Sequence, residues 1–209
     1  MLSISNQKNK NSWFNRKFND GVDPAYRPLF YEHLNVLLSH EKKLIDSVIT
    51  KNGRSIAFPM ETNLLENYLD GFDFVFTPFD NQELNIPHCE GFYKLNTTIK
   101  RVEIFYNTCC STKRQRWTKI HEMIHFCQSI DGHFLDFIDY LYHSQHFPKW
   151  LIPKLIERAT DKATAIYLMP NQYFLKKYQE TSSVMELSEY FQVSQQSVSY
   201  RLKECRVYI

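Results

Sequence analysis

HEMIH, residues 121–125, is the stretch on which the reading of this chain turns. An α-helix turns about 100° per residue, so His121 and His125 leave one face a single turn apart. Two imidazoles at that spacing can share a tetrahedral zinc ion, with the Glu122 carboxylate beside them. Zinc brings the pKa of a water from about 15.7 down to about 7, and a neighbouring glutamate can accept its proton during attack on a peptide carbonyl. The five residues also occur by chance on ordinary helices, so their setting has to decide.

Upstream, residues 72–76, 91–95 (GFYKL) and 102–106 (VEIFY) are aromatic and β-branched, the last with alternating character, and read as three short strands. Consecutive short strands joined by loops predict a small antiparallel sheet. Downstream the periodicity becomes helical, over 113–130, 134–143 and 153–168. Pro153 lies in the first turn of the last of these, and Pro170 closes it. Two more short helices, 184–191 and 195–204, flank Gln192-Val193-Ser194. Toward the amino end, Leu29, Leu34, Leu37, Leu38, Leu44, Ile45 and Val48 predict one or two helices over 28–49, followed by a turn at Asn52-Gly53. Residues 61–70 read as a helix ending near Asp70-Gly71, and residues 1–20, rich in Asn, Lys and Ser, as a loosely docked arm. The class is α+β. Three parts are expected: an arm and helical extension at 1–60, a catalytic-type domain at 61–170, and a helix pair at 171–209.

Catalytic zinc needs a third protein ligand, and two residues compete for the place. Glu157 lies one turn before Asp161 on the helix predicted over 153–168, and Asp161 could hydrogen-bond the far nitrogen of a ligating imidazole. His133, in DGHF, follows His125 by eight residues. The HExxHxxGxxH spacing is absent, since position 128 is Gln and position 131 is Asp, which excludes a metzincin. Tyr106, Tyr167, His143 and His146 can each donate a hydrogen bond to developing negative charge, and spacing does not separate them.

Composition narrows the classes. With 43% hydrophobic residues the chain can build a core without covalent staples. A formal charge of only +2 gives no general case for nucleic acid or a membrane surface, and 5 glycines disfavour glycine-rich nucleotide sites. The 5 cysteines are odd in number and show no CxxC pair, which argues against a disulfide framework. No apolar run reaches the roughly 18 residues of a membrane span, and the amino end lacks a signal-peptide core. A cytoplasmic protein is expected. In the last helix pair, Gln195, Gln196 and Ser199 point outward and could read base edges, while Val198 and Leu202 point inward. Arg201, Lys203 and Arg206 are offset there by Glu186, Glu189 and Glu204, so packing or partner contact is favoured over direct DNA binding.

Three stretches, RWTKIHEMIH (116–125), IERATDKATAIYLMP (156–170) and ELSEYFQVSQQSVSYRL (186–202), together resemble the ImmA/IrrE family of metallopeptidases. The likeness runs over roughly residues 62–204 and implies a zincin-like fold. It further implies zinc on His121, His125 and Glu157, Glu122 as general base, and Asp161 behind one histidine. Its activity would be that of a zinc metalloendopeptidase cutting a regulatory protein, such as a helix-turn-helix repressor of a phage or mobile element. Ala159 and Ala163 stand where the family often has larger or acidic residues, and Ile124 where it usually has Gly; neither change removes a ligand. The SprT/Spartan-like metallopeptidases are similar in HEMIH and Gly132-His133, and would use His133 as third ligand. The Leu168-Met169-Pro170 ending and the Val193-Ser194 helix pair favour the first family. A regulator that binds DNA or a partner around a structural zinc is the non-enzymatic alternative.

Overall fold

Buried side chains at Phe30, Leu34, Leu37, Glu41, Ile45 and Val48 recur every three or four residues, and one continuous helix, α1 (Arg27–Lys51), results. The computed structural model describes residues 21–51, 56–81 and 89–205; the arm at 1–20, the turn at Asn52-Gly53 and Arg206 lie outside the described residues. A short α2 (Asn63–Tyr68) leads into β1 (Asp73–Phe79), β2 (Gly91–Asn96) and β3 (Arg101–Asn107).

The expected antiparallel sheet is instead mixed. Its order is β1-β3-β2, with β2 and β3 antiparallel (Gly91 opposite Tyr106) and β1 and β3 parallel (Asp73 opposite Arg101). The two outer strands run in opposite directions and are separated by one strand width. The turn after Asn96, with Lys100 at φ 50°, folds β3 back into that slot. Central β3 therefore buries Val102 and Ile104 completely. Edge strand β1 tolerates Pro78, which has no N–H to give a ladder.

Then comes α3 (Thr112–Ile130), whose first turn is capped by Ser111 Oγ accepting from Arg114 N. Asp131 ends α3 and also begins α4 (Gly132–His143), its carboxylate accepting from Phe134 N at 3.1 Å. After a 3-10 turn, α5 (Ile152–Leu168) carries Pro153 in its first turn. Next is α6 (Asn171–Thr181), which periodicity did not predict. Pro170 both closes α5 and caps α6, and α6 buries only Phe174, too thin a stripe to register. Finally α7 (Val184–Phe191) and α8 (Gln195–Glu204) are capped by Ser183 and Ser194.

Two apolar clusters hold these parts together. One joins the sheet (Tyr93, Val102, Ile104), α3 (Ile120, Met123, Phe126), α5 (Ala163, Tyr167) and α7–α8 (Leu187, Phe191, Val198, Leu202). The other joins α1 (Phe30, Leu34, Leu37), α4 (Phe134, Leu141) and α5 (Leu155, Ala159). Ala159 and Ala163 are fully buried on α5, and their small side chains let α1 and α3 approach it closely.

Arg116 locks the entry of α3. It donates to Met60 O, to Phe191 O at 2.8 Å and to Gln192 O at 3.0 Å, tying α3 to the segment before α2 and to the carboxy end of α7. Arg201 is likewise buried, donating to Met169 O, Asn171 Oδ1 and Glu204 Oε2. One of the cations near the last helix is thus spent on internal contacts. Among the described residues, no helix is long and apolar enough to cross a membrane.

Candidate metal centre

Helix α3 turns His121 and His125 toward α5, with ring centroids 4.7 Å apart and planes at 80°. Helix α5 answers with Glu157, whose Oε2 lies 3.5 Å from His121 Nε2 and whose Oε1 lies 3.4 Å from His125 Nε2. One ligand atom from each of the three residues falls within 4.8 Å of the others. Donors held about 2.1 Å from a shared tetrahedral ion stand about 3.4 Å from one another, the distance at which each imidazole meets one oxygen of Glu157. His125 Nε2 is also buried with no hydrogen-bond partner, an unsatisfied nitrogen on the side of Glu157. These residues fit a divalent metal ion.

Asp161, one turn beyond Glu157, brings Oδ1 to 3.4 Å from His121 Nδ1. Burial works against a charge on His121, yet the Asp161 and Glu157 carboxylates outweigh it and hold the imidazole's pKa up at about 10. For Glu157, burial alone would raise the pKa; the two imidazoles outweigh it and hold the carboxyl far below the usual carboxylate range. The centre is therefore built for positive charge. Glu122 is different: it is only 4% exposed, and burial pushes its pKa up against the pull of both histidines.

Glycine at position 91 makes room for this arrangement. A Cβ there would run into Thr118 Cγ2 and Phe105 O, and would lie 3.6 Å from Glu122 Cγ. Edge strand β2 can thus lie directly against the face of α3 that bears Glu122.

The structure gathers His121, Glu122, His125, Glu157 and Asp161. His133 is exposed at the start of α4, beside the His40 ring at 6.3 Å, and is not in the ligand cluster. Tyr106 packs beneath Lys119, whose Nζ lies 3.8 Å from the ring centre. His143 is exposed, with Nδ1 2.9 Å from Asp139 O, and His146 is exposed in the loop after α4. Tyr167 is fully buried and its hydroxyl donates to Glu61 O at 2.6 Å, so that proton is already committed. Tyr167→Phe is expected to cost about 1 kcal/mol of stability in urea unfolding, the usual net value of one hydrogen bond, and to leave metal binding unchanged. A loss of metal in a folded Tyr167→Phe protein would contradict this placement.

Sequence reading passed over three polar residues behind His125. Gln128 Oε1 lies 3.1 Å from His125 Nδ1 and accepts from Thr160 Oγ1 at 3.0 Å, while Gln128 Nε2 donates to Glu41 Oε1 at 2.8 Å. Two signals were present. Gln128 is three residues past His125 on the same helical face, and Glu41 occupies a core position of the α1 stripe where an apolar residue belongs.

Eleven chains of known structure match this one. Among them a Mycobacterium tuberculosis transcriptional regulator superposes with a TM-score of 0.54 at 13% identity, over 83% of this chain and 51% of the other. That likeness shows a common fold, and this chain spans about half the length of that protein. No curated protein matches. A profile of Peptidase_M78, the IrrE N-terminal-like domain, matches residues 88–203, a span that holds all five gathered residues. With a metal-type histidine pair, a carboxylate from the next long helix and more than half its length matched, the chain belongs to the Peptidase_M78 (IrrE N-terminal-like) family and carries its metallopeptidase-like domain.

Proposed function

We propose that the protein is a zinc-dependent endopeptidase of the cytoplasm that cuts a regulatory protein, a helix-turn-helix repressor of a phage or mobile element being the favoured class. The observation that carries this reading is Glu122, a buried carboxylate of raised pKa next to a ligand set made for one metal ion. Two imidazoles and one carboxylate, with no thiolate, are a donor set used by hydrolytic zinc. Bound there, zinc would polarise the scissile carbonyl and make a water acidic enough to lose its proton near neutral pH.

The rest is the work of the chain. A Glu122 carboxylate oxygen accepts the water's proton and returns it to the leaving amine, and its raised pKa brings it nearer the operating pH. Glu157 supplies the negative charge that makes the centre attract a cation. Among the described residues, edge strand β2 has no strand partner on its outer side, where an extended peptide can add its backbone hydrogen bonds. Beside His125 a hollow of about 160 Å³, lined by Tyr93, Phe134, Leu135, Ile138 and Ile156 together with the polar Gln128 and Ser129, can take a side chain of that peptide. A shared fold with a transcriptional regulator supports the regulatory setting.

The test is to incubate the zinc-loaded chain with a helix-turn-helix repressor encoded beside it and to read the products by intact mass. One or a few defined fragments are expected. An intact repressor after prolonged incubation with fully zinc-loaded protein would overturn this substrate class.

A further inference from the structure

We infer that Glu41 is a positioning residue for the metal centre: through Gln128 it holds His125 in the tautomer whose Nε2 faces the metal. The inference rests on reading His125 as a ligand, and it brings into the site a helix outside the matched residues 88–203.

The amide of Gln128 has two faces, and their assignment decides the histidine. Glu41, Gln128 and Thr160 are 3%, 4% and 0% exposed, so water has little room to substitute for any of these bonds. A carboxylate accepts and does not donate, so the Gln128 atom 2.8 Å from Glu41 Oε1 must be the amide nitrogen. That leaves Oε1 toward His125 Nδ1 and Thr160 Oγ1. Oε1 lies 3.1 Å from the ring, where an unprotonated Nδ1 would set lone pair against lone pair, so His125 Nδ1 carries the proton. The lone pair then falls on Nε2, the buried atom that faces Glu157 with no hydrogen bond of its own. A flipped amide would press oxygen against the carboxylate oxygen. It would also offer N–H to His125, which could accept only with its proton on Nε2, and that tautomer cannot bind a metal through Nε2.

Keeping an acid in the core stripe of α1 has a cost. Burial pushes the Glu41 carboxyl up to about 7. A Leu at this position would pack as well and would lack that cost, but it would leave the Gln128 amide free to turn either way.

The test uses the full chain at about pH 8.5, where the Glu41 carboxyl is ionised. Glu41→Gln keeps the volume but lets position 41 donate as well as accept, so the Gln128 amide is no longer forced. Histidine ring ¹⁵N shifts of the metal-free protein should show one Nδ1–H tautomer at His125, and a mixture in Glu41→Gln. Zinc affinity, by chelator competition, should fall about tenfold, the lower end of the 10–100-fold found for contacts made directly to a ligand. The exchange Glu41→Gln with Gln128→Glu, which moves the carboxylate next to His125, should restore both readouts. A single native tautomer and unchanged affinity in Glu41→Gln would overturn the inference. His125→Ala is the separate control: if it keeps zinc, the ligand reading fails, while the tautomer in Glu41→Gln still judges the relay.

Discussion

Glu122→Gln is expected to slow peptide cleavage by a factor of about 100 to 10,000, the range for loss of one general acid–base group, with zinc content unchanged. The two halves of this expectation come from different atoms. Glu122 is not among the three residues whose donors converge, so its loss leaves the ligand set complete. The substitution keeps the side chain's volume in a nearly closed space beside Gly91 and Thr118, where little else fits. What disappears is the proton acceptor. Misfolding would not explain inactivity, for a reason with a definite sign. Burial raises the folded-state pKa of Glu122, so its charge costs stability once pH exceeds the unfolded value, and more as pH rises toward the folded one. A neutral amide escapes that cost, so metal-free Glu122→Gln should unfold at the same temperature as the parent or higher at neutral pH. Steady-state cleavage, zinc content and thermal unfolding on one preparation check all three. Cleavage at the parental rate would remove Glu122 from the mechanism, and full biological activity without cleavage would favour the binding regulator.

Part of this was written in local sequence and part was not. HEMIH fixes its own geometry, because a period of 3.6 places residues four apart on one face wherever the helix lies. The three strands were legible from aromatic and β-branched runs, but alternation carries no information about neighbours. That β3 enters between β1 and β2 depends on where α3 receives the sheet, through Val102 and Ile104, and the mixed order follows from it. Helix α6 was invisible because Pro170, read as an end, is also a beginning. Arg116 and Thr118 appeared as letters of a family pattern; the structure gives them work, one binding three carbonyls and the other meeting β2 at Gly91. Glu41 is the instructive omission. A charged residue inside an apolar stripe is a local anomaly readable from sequence, but its partner lies 87 positions away on another helix.

The choice between Glu157 and His133 is of that long-range kind, and it leads to the second large effect. Glu157→Ala is expected to lower zinc affinity by more than about 100-fold, beyond what loss of an outer contact produces, whereas His133→Ala should leave it within about twofold. Helix α5 packs on α3 and delivers Glu157 to within 3.5 Å of both imidazoles, while His133 points to solvent beside His40. Removing Glu157 takes away the third donor and the only carboxylate in the ligand cluster, leaving two neutral imidazoles to hold a dication. One compensation works the other way. Without Glu157 the His121 imidazole has only Asp161 directly beside it to support a proton, so less proton competition opposes the metal. That relief is confined to one group and cannot replace a ligand. Zinc per chain after dialysis against graded chelator separates the outcomes, with Glu157→Gln as the intermediate case, since an amide oxygen keeps the donor position but not the charge. Zinc retained by Glu157→Ala and lost by His133→Ala would return the site to the SprT/Spartan-like pattern and require α4 to move its first turn onto the histidines.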